Sequence, residues 1–201
     1  MSKVKICGVS RTEDIAAVNR ALPDFIGFVF APSRRRVDIK IAAMLKERLD
    51  PRIEKVGVFV NEDMNAVIRM FEGGIIDLAQ LHGDEDGKYI KRLKETCGCR
   101  VIKAIGVGGT MPDLPVEPDY FLFDTLSGQR GGAGKAFNWN ILEYYSGIPY
   151  FLAGGLTVDN VLKAVNYFSP YCIHVSSGVE TGGVKDEKKI EQFVRLVRGN
   201  S

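Results

Sequence analysis

The sequence predicts a single (β/α)8 barrel, the TIM-barrel class, with residues 1–201 forming one domain. Three observations predict it. Eight short runs rich in apolar, β-branched and aromatic residues recur along the chain, each of strand length. Amphipathic stretches of about 10–14 residues separate them with one gap, as parallel strands joined by helical crossovers require. Gly/Ser clusters follow the last two runs, where this barrel builds its anion site. At about 25 residues per unit the barrel is near the small end of its class. An open doubly wound sheet ranks second, because five or six strands are its usual number and no G-x-G-x-x-G follows the first run.

The elements follow in order. VKICG (4–8) opens the barrel, and RTEDIAAVNRAL places Ile15, Val18, Ala21 and Leu22 on one helical face. DFIGFVF (24–30) precedes VDIKIAAMLKERL, and EKVGVFV (54–60) precedes NEDMNAVIRMF, whose Asn61 is an N-cap type with acids in the turn behind it. IDLAQLHG (76–83) leads into DGKYIKRLKET, and RVIKAIGV (100–107) into GGTMPDLPVEPD (108–119). Three prolines and two glycines in that short stretch predict a loop where the fifth helix would stand. YFLFDT (120–125) is followed by TLSGQRGGAGKAF (125–137), whose four glycines, Arg130 and Lys135 suit a mobile lid over an anionic substrate. Its spacing is not that of a Walker motif. WNILEYYS reads as a helix before PYFLAGG (149–155), TVDNVLKAVNYF as a helix with a cap near Thr157, and DEKKIEQFVRLV as the last helix, after CIHVSSG (172–178).

Alternation along the strands assigns faces. Lys5 with Cys7, Gln80 with His82, Leu122 with Asp124, and Cys172 with His174 and Ser176 are expected inside the barrel; so are Val101, Lys103 and Ile105. The apolar partners Val4, Ile6, Ile102, Ala104, Phe121, Phe123, Ile173 and Val175 are expected against the helices. Polar groups inside a barrel are costly unless paired, so a chain that keeps them there has a chemical use for them. A cysteine in an apolar run is ordinarily a small buried hydrophobe. Cys7 stands instead at a strand's C-terminal end, where barrel active sites lie.

Bulk composition narrows the function. With 27 basic and 25 acidic residues the net charge is +2, which favours neither a nucleic-acid nor a membrane partner. Four scattered cysteines make no disulfide framework, and Cys97-Gly-Cys99 is not a zinc spacing. No signal-peptide core and no apolar stretch of 18 residues is present, so the expectation is a soluble, cytoplasmic protein in a reducing compartment. The clusters AGGL (153–156) and VSSGVE (175–180) nominate Gly154, Gly155, Ser176, Ser177 and Gly178 for phosphate, with glycine admitting the anion to the backbone and serine adding a donor.

These segments together, VKICG, GFVFAPSRRRV (27–37), VGVFVN, QLHGDE, FDT with GGAGKAFNW, AGGL and SSGVE, resemble the phosphoribosylanthranilate isomerase family of tryptophan biosynthesis over nearly the whole chain. The resemblance implies an Amadori rearrangement of a small-molecule substrate, N-(5-phosphoribosyl)anthranilate, with no metal and no cofactor. It implies Cys7 as general base and Asp124 as general acid. It implies an arginine for the anthranilate carboxylate, Arg35 by spacing with Arg36 one residue away, and a histidine near the substrate, His82, for which a structural role stands as an equal alternative. His174 stands where the family usually has aspartate, a potential cation in place of an anion beside the substrate's amine. Ala133 and Asn138 replace the more common Ser and Asp, the second keeping a cap. Free thiols ionise near 8.5, so Cys7 needs help, and Lys5 on the same face is the candidate. Asp124 must hold a proton, so burial is expected to raise its pKa. Another phosphate-binding sugar-phosphate isomerase or epimerase is the alternative activity, and oligomeric state stays open.

Overall fold

The structure, a computed structural model, describes residues 1–114, 117–126, 138–143 and 145–199. Eight parallel strands close into a barrel in sequential order: β1 (Lys3–Cys7), β2 (Phe25–Val29), β3 (Glu54–Phe59), β4 (Leu78–Leu81), β5 (Arg100–Val107), β6 (Tyr120–Thr125), β7 (Tyr150–Leu152) and β8 (Cys172–Val175), which pairs back onto β1. The helices α1 (Thr12–Ala21), α2 (Ile39–Lys46), α3 (Met64–Glu72), α4 (Gly87–Cys97), α5 (Val161–Phe168) and α6 (Glu187–Arg198) lie around it. No helix is found between β5 and β6 among the described residues, as the proline-rich stretch predicts. Of the glycine-rich segment 125–137, nominated as a lid, residues 127–137 lie outside the described residues.

Local chemistry sets the helix starts. Asp38, Asp63, Asp86 and Asp186 each sit at an N-cap, and each carboxylate accepts the backbone N–H three residues on. The cap of α3 is therefore Asp63 and not Asn61. Asn61 takes a left-handed backbone (φ 52°) and accepts the Asp84 N–H at 2.7 Å, so the loop after β4 uses the side chain that the helix leaves. A second repeat ties the bottom of the barrel: Asp24, Asp77 and Asp119 each accept the N–H of Val4, Lys55 or Val101 on the preceding strand at 2.7–2.9 Å. The expected helix WNILEYYS reduces, among the described residues, to one 3-10 turn over Trp139–Leu142, capped by Asn138.

Two apolar layers result. Helices pack on the outward strand residues, as in α6, whose Ile190, Phe193, Val194 and Val197 form one stripe. Inside the lower barrel, Phe25, Val56, Leu78, Ile102, Leu122, Phe151 and Cys172 fill a separate core. Ile102 and Ala104 belong to this inner layer and Val101 to the outer one, so the faces of β5 are the reverse of those expected. Lys103 consequently points outward. It survives there because its ammonium meets Glu85 at 2.8 Å and the Gly83 carbonyl at 2.7 Å. A short hairpin, β9 (Glu180–Thr181) and β10 (Val184–Lys185), follows β8 and turns on Gly182 and Gly183, both with positive φ.

Candidate active site

Above the inner core, at the C-terminal ends of the strands, lies a cavity of about 730 Å³. Cys7, Gln80, His82, Asp124 and His174 form its floor, and the loop after β2 brings Arg34 and Arg35 to its wall. Gly154, Gly155, Ser176, Ser177 and Gly178 line it as well. All ten residues singled out from the sequence thus line one cavity. Arg36 does not. It is exposed and pairs beside Val29, which separates it from Arg35.

Cys7 is 5% exposed, and its Sγ accepts from Lys5 Nζ at 3.5 Å. Lys5 is fully buried; burial lowers its pKa, while Cys7 beside it works the other way. Across the cavity, Asp124 accepts the Thr125 N–H at 2.8 Å through Oδ1. Burial raises the Asp124 carboxyl above the ordinary carboxylate range, against that hydrogen bond, as a proton donor requires. His82 Nε2 stands 4.0 Å from Asp124 Oδ2, and its Nδ1 meets Gln80 Nε2 at 3.1 Å. His174 departs from the expected potential cation. Burial, then the charges of Lys5, His82 and Lys185, push its pKa well below the usual histidine value, so it stands neutral at physiological pH.

Arg35 is held from behind. Its Nε and Nη2 donate to the two Glu180 oxygens at 2.7 and 2.9 Å, a bidentate pair that fixes the guanidinium plane. Lys185 Nζ also donates to Glu180, at 2.8 Å. Burial works against the Glu180 charge, yet the bonds from Arg35 and Lys185 bring its carboxyl below the ordinary value. Sequence reasoning missed Glu180, Lys185 and Arg34. The signal lay in TGGV, since two glycines between short extended pairs specify a tight hairpin that returns Lys185 to Glu180.

The phosphate side is built by close approach. A Cβ on Gly178 would run into the Leu156 carbonyl oxygen, and Gly154 holds a left-handed φ of 87° over Thr125, so larger residues would push the two loops apart. Ser176 is used differently from the sequence expectation: its hydroxyl donates to the Cys7 carbonyl at 3.0 Å and ties the end of β8 to that of β1.

Comparison with known proteins identifies the family. The family model described as N-(5'-phosphoribosyl)anthranilate (PRA) isomerase matches residues 4–196. The chain belongs to the phosphoribosylanthranilate isomerase family. The curated isomerase of Endomicrobium trichonymphae is 46% identical over 199 residues, covering 98% of this chain and 99% of the relative. That of Clostridium acetobutylicum is 47% identical over 206 residues, covering 98% of both. Among solved members of the family, the Thermus thermophilus isomerase superposes with a TM-score of 0.86 at 32% identity, covering 99% of this chain and 100% of that one. An isomerase in complex with reduced 1-(o-carboxyphenylamino)-1-deoxyribulose 5-phosphate superposes at 0.83 and 31% identity, covering 99% and 100%. Among the described residues no helix is long and apolar enough to cross a membrane, and no cluster of His, Cys, Asp and Glu could hold a metal ion.

Proposed function

We propose that this chain isomerises N-(5-phosphoribosyl)anthranilate to 1-(2-carboxyphenylamino)-1-deoxyribulose 5-phosphate, in tryptophan biosynthesis, by general acid–base catalysis. The family membership supports the reaction. The observation that carries the mechanism is one cavity lined by a thiol, a carboxyl whose pKa burial raises, two arginines and the glycines and serines of the last two loops. The substrate carries matching groups, a phosphate for the glycine and serine loops and a carboxylate for an arginine.

In this reading Gly154, Gly155, Ser177 and Gly178 receive the phosphate, with Ser176 bracing the loop. Arg35, aimed by Glu180, meets the anthranilate carboxylate, and His82 and His174 border the sugar. Asp124 protonates the furanose ring oxygen, and cleavage of the C1–O bond gives the iminium. Cys7, as thiolate, removes the C2 proton, giving the enolamine. The enolamine takes a proton at C1 and releases the C2 hydroxyl proton, becoming the C2 ketone, so no electrons are gained or lost overall. Lys5 Nζ stands 3.5 Å from the Cys7 sulfur. All four cysteines are free, which fits a reducing, cytoplasmic setting.

The test follows the fluorescence of freshly formed phosphoribosylanthranilate. Wild type is expected to consume it, and Cys7→Ala and Asp124→Asn each to lower kcat by about 10² or more. An inactive wild type would sink the function, and full activity in both variants would sink the assignment of acid and base.

A further inference from the structure

Lys5 occupies a space shaped for its ammonium. On the neighbouring strand a Cβ at Gly27 would stand 2.7 Å from Cys7 Sγ and 3.1 Å from Lys5 Nζ, so glycine keeps that space open. A lysine ammonium has three N–H donors and no acceptor. Three partners surround this one: Gln80 Oε1 at 2.7 Å, His174 Nδ1 at 3.3 Å and Cys7 Sγ at 3.5 Å.

The donor count decides orientations beyond Lys5. The amide atom facing an ammonium must be the oxygen, so the Gln80 nitrogen faces His82 Nδ1 at 3.1 Å. That nitrogen only donates, so His82 Nδ1 accepts and the ring proton lies on Nε2, the nitrogen 4.0 Å from Asp124 Oδ2. By the same logic His174 Nδ1 accepts from Lys5, and its proton also lies on Nε2. We propose that Lys5 and Gln80 are positioning residues that hold His82 and His174 as Nε2-protonated tautomers, Gln80 being the joint between the base side at Cys7 and the acid side at Asp124. The consequence is chemical. With its proton on Nε2, His82 presents an N–H toward Asp124 and steadies the carboxylate left after proton donation. With the proton on Nδ1, a lone pair would face Asp124 and compete with the substrate for the acid's proton.

The tautomers themselves do not depend on the isomerase reading; only their effect on turnover does. Long-range 1H–15N spectra of protein labelled in histidine report them directly, and the chain's two histidines make assignment simple with a His174→Gln variant. Wild type is expected to show both rings protonated at Nε2. Gln80→Glu replaces the donor facing His82 with an acceptor, so His82 is expected to shift its proton to Nδ1 while His174 stays as it was. Gln80→Met removes the partner and is expected to leave His82 a mixture. In both variants kcat is expected to fall about tenfold or more with KM held. A merely structural Gln80 would lower the melting temperature without moving the ring nitrogens. The proposal is overturned by a wild-type His82 protonated at Nδ1, or by a His82 tautomer unchanged in Gln80→Glu. An inactive wild type with both rings protonated at Nε2 would instead count against the proposed reaction alone.

Discussion

Asp124 shows how burying a single carboxyl costs stability. Burial raises its pKa in the folded state, so the native protein binds this proton more tightly than the unfolded chain does. The resulting cost is absent below the unfolded carboxyl value of about 3.9 and complete once pH exceeds the folded one. Asp124→Asn keeps an oxygen for the Thr125 N–H and has no charge to bury. Its melting temperature is therefore expected to exceed that of wild type at pH 8, with the gap closing toward pH 4. Calorimetry across that range checks it, and a variant no more stable than wild type at pH 8 would contradict it. At this scale much was legible in the sequence: Cys7 and Asp124 end their strands as polar residues on a face that alternation points inward. The neutrality of His174 was not, because it comes first from burial and then from the charges of Lys5, His82 and Lys185, and Lys185 reaches the site from a hairpin far along the chain.

Elements were legible where period and capping agreed, and misread where one residue could serve two faces. Seven of the eight strands lie within their predicted segments and β1 starts one residue early, at Lys3, yet β5 turned over. RVIKAIGV alternates apolar residues on both faces, so its lysine alone decided the reading, and a buried lysine follows its partner. That partner is Glu85, which also accepts the N–H groups of Asn61 at 2.7 Å and Gly83 at 3.0 Å, so the pair clamps the loops after β3 and β4. With side chains only 7% and 2% exposed, the pair is costly to break on one side. Lys103→Met is expected to destabilise the fold by about 3–5 kcal/mol in urea titrations, and adding Glu85→Gln to recover part of it. A single-variant loss under about 1 kcal/mol, or no recovery in the double variant, would show that the pair does not hold these loops. The hairpin after β8 escaped for a simpler reason: strands of two residues have no periodicity to read.

At the scale of the whole molecule, the barrel is closed where the chain's two ends meet. β1 pairs with β8, Ser2 Oγ donates to the Pro170 carbonyl at 2.7 Å, Ser176 to that of Cys7 at 3.0 Å, and Arg198 to that of Leu22 at 2.6 Å. Lys5 and His174 face each other across this seam. A charge gained by His174 therefore acts on the contact that closes the sheet, not on a peripheral loop. Its pKa lies well below the ordinary value in the folded state, so below about pH 6.5 the unfolded chain binds a proton that the native chain refuses. Stability carried by this group is whole above that pH and declines below it, by at most about 1.4 kcal/mol per pH unit for one proton. His174→Gln retains an acceptor for Lys5 and has nothing to titrate. The loss of stability between pH 7.5 and 5 is thus expected to be smaller in His174→Gln than in wild type, as read by urea unfolding at each pH. Parallel pH profiles would place the acid sensitivity elsewhere. A steeper profile in wild type would mean that the seam on which Cys7 and Lys5 stand also sets the acid limit of the fold.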